Sequence, residues 1–171
     1  KKISREHTVM SSKTGLVTVT GGKWTTYRAM AEDVLAECFH IGSLPSRPAG
    51  VTVHLPLVGA PAESAVKHRM SQAQGLHSYG TDAPSVTALP GADVWLTDGL
   101  SEAMVRFAAR FEYARTVEDM LARRSRLLFL DARKAAEVAL RVAEILEQEL
   151  GRDPNLADFL ALAQQYLPAL H

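Results

Sequence analysis

The chain has 171 residues, 47% of them apolar, with 19 basic and 19 acidic side chains and zero formal charge. That length carries one ordinary domain, or a domain plus an appendage, with apolar material enough for a core. The balanced charge gives no sign of a nucleic-acid partner, no apolar run approaches the ~20 residues of a membrane span, and no signal peptide is visible.

The opening "KKISREH" lacks an initiator Met and starts in strand-like sequence, so the chain reads as a piece of a longer protein. Residues 1–28 hold Lys1, Lys2, Arg5, Lys13, Lys23 and Arg28 against the single acid Glu6. A cationic end on a neutral chain suits a small anionic ligand. His7–Thr20 reads as two β-runs around a Ser/Lys/Thr/Gly turn, a hairpin. A lone hairpin is marginal in water, so it needs upstream strands or helices to pack on. From Trp24 the apolar positions Tyr27, Met30/Ala31, Val34/Leu35 and Cys38/Phe39 take helical spacing with one face to bury. Cys38, the only cysteine, cannot form an internal disulfide, which fits a reducing cytosol. On that stripe it reads as a small buried hydrophobe. Residues 40–61, rich in Pro and Gly around one extended piece at Val51–Leu57, form a connector.

The remainder reads as helical. Ala62–Gln74 is followed by Gly75; Thr81 or Asp82 caps a short helix through Leu89; Leu100–Tyr113 follows. Thr116 and Asp119 have capping-box spacing, with Asp in place of Glu. Asp131 opens the longest helix, which ends near Leu150 with Gly151 at its C′ position. Asp153-Pro154 supplies an N-cap and N1 proline for a last helix. The long helix carries two apolar stripes, Ala135/Ala139/Val142/Leu146 and Ala136/Leu140/Ala143, and so belongs in the middle of a bundle. Met104, Phe107 and Phe111 read as core.

The stretch "TVTGGKWTTYRAM" stands apart. Glycines let a backbone bend sharply and let a ligand approach it, and the helix after them presents unpaired N–H groups and a partial positive charge. With Lys23 this is a place for an anion; the other reading is a tight strand-to-helix turn with a solvated lysine. It is not a Walker loop, and no G-x-G-x-x-G occurs. Arg115, Arg123, Arg124 and Arg126 lie among Glu112, Glu118 and Asp119. Acids interleaved at helix-neighbour spacing favour an ion-pair network over an anion or headgroup patch. The six histidines show no ligand-type spacing, so no metal is expected, and no nucleophile elbow is present.

"SREHTVMSSKTGLVTVTGGKWTTYRAMAEDVL", together with "LPLVGA" and "FEYARTVEDMLARRSRLLFLD", resembles the C-terminal part of FAD-dependent glycerol-3-phosphate dehydrogenases. The resemblance is dense in Ser4–Leu35 and Arg106–Asp131 and weak between Ala62 and Leu100. Nothing like a calcium-binding extension comes after the last helix, which points to the bacterial form. It implies oxidation of glycerol 3-phosphate to dihydroxyacetone phosphate, with electrons passed from FAD to a membrane quinone. It places Gly21, Gly22, Lys23, Trp24 and Thr25 against the flavin, and directs Arg5, with Lys23, at the substrate. Reduced flavin gathers negative charge near N1 and the C2 carbonyl, where a helix start and a lysine stabilise it. A guanidinium fork such as that of Arg5 matches a phosphate.

The expectation is therefore a mainly α chain: the closing hairpin and helix of a flavin domain (1–40), a connector (41–61) and a helical C-terminal domain (62–171). No catalytic residue is assigned, because the general base lies upstream. The parent is expected to be cytoplasmic and peripheral on the membrane, with a homodimer left open; the fragment alone should be inactive and hold FAD only weakly. The alternatives are a non-enzymatic helical interaction domain and a glycerol-phosphate oxidase that passes electrons to oxygen.

Overall fold

The β-formers at the start of the chain pair as their alternation predicts. β1 (His7–Ser11) and β2 (Val17–Gly21) run antiparallel, with Val9 opposite Val19 and His7 opposite Gly21. The computed structural model describes residues 6–60 and 74–167, and these fall into two units divided between Pro56 and Leu57. Arg5 and the helix expected at 62–74, except Gln74, lie outside the described residues.

In the first unit the hairpin turn is closed by Ser12, whose N–H donates to Leu16 O at 2.9 Å and whose carbonyl accepts from Gly15 at 3.0 Å. A 3-10 turn (Trp24–Thr26) leads into α1 (Tyr27–His40), the helix that the spacing predicts. Its apolar face, however, is not buried: no described residue of 6–56 is, and Cys38 is only half-buried. Tyr27 and Leu35 remain exposed. A hairpin and one helix have too little apolar surface to exclude water from each other. The connector also departs from expectation. Val51–Val53 form a 3-10 turn instead of an extended piece, because Gly50 redirects the chain and Thr52 is drawn onto α1. There its hydroxyl donates to Glu32 and accepts from Arg28. That hydroxyl bond, with Arg28 adding to it, holds the Glu32 carboxyl below its ordinary range.

The second unit has a continuous apolar core. A 3-10 segment (Leu76–Asp82) runs into the short α2 (Ala83–Thr87), whose first turn holds Pro84; Asp82 occupies the cap position without a side-chain bond. A two-stranded ribbon of β3 (Trp95–Thr97) and β4 (Leu100–Ser101) comes next, so Leu100 and Ser101 are strand where the periodicity predicts helix. The Asp98-Gly99 pair between them is a strong hairpin signal. Ser101 then caps α3 (Glu102–Phe111) through its hydroxyl. Met104 and Phe107 are core as expected; Phe111, near the helix end, is 66% exposed and rests on Phe107.

The Thr116/Asp119 box forms: Asp119 N–H donates to Thr116 Oγ1 at 3.0 Å, and Thr116 N–H to Asp119 Oδ2 at 3.1 Å. The helix it starts widens into a π-helical stretch at Asp119–Arg124, with Ser125 N–H reaching back to Met120 O at 3.0 Å. One turn of α4 (Leu127–Leu130) precedes α5 (Ala132–Leu150), capped by the Asp131 carboxylate and ended by Gly151 at φ +65°. α5 packs against α3, α4 and α6 (Leu156–Tyr166), the central position that two apolar stripes imply. The first stripe is buried throughout. In the second, Leu140 is 60% exposed, and Val138 and Ile145 are buried beside Ala143. α6 begins at Leu156, not at Pro154, because Asn155 takes a left-handed φ of +60° between them; the Asp153 carboxylate accepts from the Asn155 N–H at 2.8 Å. Among the described residues no helix is long and apolar enough to cross a membrane.

Candidate functional site

Gly21, Gly22, Lys23, Trp24 and Thr25 form one continuous turn from the last residue of β2 to the 3-10 turn before α1. Gly21 and Gly22 have φ of +81° and +84°, a region closed to most L-residues. Crowding excludes larger residues too. A Cβ on Gly21 would lie 2.7 Å from Glu6 O, and one on Gly22 would lie 2.6 Å from Met30 Sδ and 3.2 Å from His7 Cβ. At Gly21 the obstacle is fixed backbone, and at Gly22 it is chiefly the flexible end of Met30.

Thr26 fixes the exit of the turn. Its hydroxyl donates to Lys23 O at 2.9 Å, and its N–H donates to the same oxygen at 3.0 Å. Lys23 is therefore extended and exposed at the head of a rigid turn. Trp24 is 87% exposed and tilted against Tyr27, with ring centroids 5.9 Å apart. Trp24 and Tyr27 thus expose aromatic surface beside Lys23. The turn has the chemistry for an anionic, planar ligand: a positive charge, a close-approach backbone and an aromatic wall.

The hairpin is tied to α1 in two places that sequence reasoning missed. His7 Nε2 lies 2.6 Å from Asp33 Oδ2, and Ser11 Oγ donates to Glu37 Oε1 at 2.5 Å. A signal was present: His7 and Ser11 share one face of a strand, and Asp33 and Glu37 stand at i, i+4 on a helix.

The arginine cluster of the second unit is a network. Arg123 pairs with Glu118 at 2.7 Å and Asp119 at 2.9 Å, and Arg124 with Glu112 at 3.6 Å. Arg124 also donates to the carbonyls of Asp119 and Glu112, while Arg115 lies 4.1 Å over the Tyr113 ring. Arg126 makes no ion pair among the described residues. Burial of Asp119 opposes its ionisation, yet the N–H groups of Arg115 and Thr116 keep its carboxyl below the ordinary range. Beside this network lies a cavity of about 420 Å³ bordered by Tyr79, Met104, Glu112 and Arg124. Burial, then the Glu112 charge, pushes the Tyr79 phenol up to about 12. Arg124 spends its donors on protein oxygens, and the other charged side chains of the described lining, Asp82 and Glu112, are acidic, so the cavity is not built for an anion. Among the described residues no group of three or more His, Cys, Asp or Glu gathers in a metal-binding arrangement.

Comparison with known proteins gives the context. Residues 50–156 match the family model for the C-terminal domain of alpha-glycerophosphate oxidase. The chain is 36% identical over 178 residues to the mitochondrial glycerol-3-phosphate dehydrogenase of Arabidopsis thaliana, covering 87% of the chain and 28% of that protein. It is 36% identical over 175 residues to the Bos taurus mitochondrial enzyme, covering 91% and 24%. With the Schizosaccharomyces pombe enzyme it shares 32% over 200 residues, covering 92% and 30%. The chain thus spans about a quarter of the length of these relatives. No solved structure matches it. With both the family model and these relatives covering most of its length, the chain belongs to the family of C-terminal parts of the glycerophosphate oxidases and glycerol-3-phosphate dehydrogenases.

Proposed function

We propose that the chain is the C-terminal part of a flavoenzyme that oxidises glycerol 3-phosphate to dihydroxyacetone phosphate. Residues 1–40 would close the flavin domain, residues 41–61 connect, and residues 62–171 form the helical domain. The observation that carries this reading is the Gly21–Thr25 turn, which is rigid, cationic and open, on a unit whose apolar side chains are left uncovered. An upstream flavin domain supplies the missing cover.

Bound FAD supplies the two-electron oxidising chemistry. The chain's own residues position and polarise. Gly21 and Gly22 let the backbone come within contact distance of a flat ring. Lys23 and the start of α1 would hold positive charge beside the flavin and favour its reduced, more anionic state. Trp24 would lie against the flavin, and the hydroxyl of Thr26 keeps Lys23 extended. Arg5 binds the substrate phosphate, a role suited to its planar fork. The proton acceptor for the substrate hydroxyl lies on the upstream domain. Quinone is the electron acceptor in this reading, with the parent held at the face of the cytoplasmic membrane. Oxygen is the second reading, favoured by the oxidase description of the matched family.

The test uses the full-length protein. Arg5→Ala should lower kcat/KM for glycerol 3-phosphate by roughly thirty- to several-thousand-fold, as when one side of a desolvated charge pair is removed. Turnover of glycerol, which has no phosphate, should stay as in wild type. Equal loss on both substrates would make Arg5 a support of the hairpin and end its phosphate assignment. Hydrogen peroxide formed in step with substrate would identify oxygen as the acceptor.

A further inference from the structure

We propose that His7 and Asp33 form a positioning pair that holds the Gly21-Gly22-Lys23 turn in its ligand-facing shape. The proposal rests on the reading of that turn as a flavin contact.

The geometry closes a small loop. β2 reaches α1 only through residues 22–26, so the angle between hairpin and helix and the shape of the turn are one variable. His7 stands opposite Gly21 in the ladder, and its ring nitrogen lies 2.6 Å from Asp33 on the second turn of α1. That bond spans the turn from behind. The Ser11–Glu37 bond repeats the tie one helical turn farther along, a rise of about 5.4 Å away, and so holds the same angle at a greater distance. Between the ties and the turn sit His7 Cβ and Met30 Sδ, which would lie 3.2 Å and 2.6 Å from a Cβ on Gly22. They pack against the inner side of the turn. With the brace removed, it can swing outward.

Exposure separates this role from simple fold support. The His7 side chain is 21% exposed and that of Asp33 58%, so Asp33 is solvated with or without its partner. An exposed pair of this kind adds little to global stability. What it fixes is position, and small misplacements are costly to catalysis.

The experiment compares His7→Ala, Asp33→Ala, their double variant and His7→Gln in the full-length protein; the glutamine amide nitrogen falls near the position of the imidazole Nε2. Amide exchange of Lys23 and Thr26, whose N–H groups are bonded within the turn, is read first, independently of turnover. Each alanine variant should speed it about tenfold, the scale of one lost hydrogen bond to a charged group. Flavin reduction by saturating glycerol 3-phosphate should slow by roughly ten- to a hundredfold with KM little changed. The double variant should be no worse than either single one, and His7→Gln should restore exchange and rate together. Exchange at the wild-type rate in His7→Ala overturns the proposal, as does a slowed rate that His7→Gln does not restore. Lys23→Ala, run alongside, separates the two ideas: unchanged flavin reduction there overturns the flavin assignment, while exchange and its rescue by His7→Gln decide the brace.

Discussion

Gly21 shows how much of the site depends on a missing side chain. Its φ of +81°, and the Glu6 carbonyl 2.7 Å from where a methyl would stand, leave an alanine neither conformation nor room. The oxygen is backbone and cannot rotate away. Gly21→Ala should destabilise the full-length protein by about 2–4 kcal/mol, the sum of a left-handed L-residue and an overpacked contact. Gly15→Ala is the control, because Gly15 has a similar φ of +84° and, among the described residues, nothing within 4 Å of an added Cβ. It should lose only about 1–2 kcal/mol. Chemical denaturation of the two variants checks the difference; equal losses would mean the Glu6 contact is not tight. That a strand passes through Gly21-Gly22-Lys23 into a helix was legible, because β-formers give way there to helical spacing across two glycines. The pairing of His7 with Asp33 was harder to read: His7 and Ser11 share a strand face and Asp33 and Glu37 a helix face, but His7 and Asp33 are 26 apart and no local pattern states which strand face meets which helix face.

At the scale of elements, the seam between α3 and α5 is closed by charge as well as by core. Glu149 accepts from Arg106 Nη1 at 2.8 Å and from Arg110 Nε at 2.6 Å, with its side chain only 9% exposed. The Arg110 bonds, and less so those of Arg106, hold the Glu149 carboxyl below its ordinary value against the opposing effect of burial. A lowered carboxyl pKa means the unfolded chain binds the proton first. This stabilisation is therefore complete above the usual value of 4.5 and is lost as pH falls below it through the folded value. Glu149→Gln should cost about 2–4 kcal/mol at pH 7, below the full cost of breaking a buried pair, because Arg110 is 43% exposed. Its melting temperature should also depend less on pH below 4.5 than that of wild type. A parallel shift of both curves would show that Glu149 contributes by packing alone. Most elements here were legible from caps and stops: Thr116, Asp131 and Gly151 act where their residue types predict. The ribbon before α3 was overlooked because two- and three-residue strands have no periodicity, although Asp98-Gly99 marked the turn. The π-helical widening had no sequence signal. It depends on Ser125 and Arg124 capturing the carbonyls of Met120 and Asp119 at 3.0 Å each.

For the molecule as a whole, the two units differ in kind. The second has a core running through Met104, Leu121, Val142, Leu146 and Phe159, whereas none of the described residues 6–56 is buried. Helical periodicity showed where α1 has an apolar face, but not that its own unit would leave that face uncovered. Residues 1–171 alone should not quench FAD fluorescence at micromolar concentration, because one turn cannot replace the contacts that hold the rest of the dinucleotide; stoichiometric quenching would show the binding site to be misassigned. The central claim, that the Gly-Gly-Lys turn stabilises the charge of reduced flavin, is tested most directly by the flavin midpoint potential of full-length Lys23→Ala. Removing that cation from a partly dry site is expected to cost ~2–3 kcal/mol, which lowers the two-electron potential by roughly 45–65 mV. A potential equal to that of wild type would contradict the claim and leave Lys23 a surface residue on a structural turn.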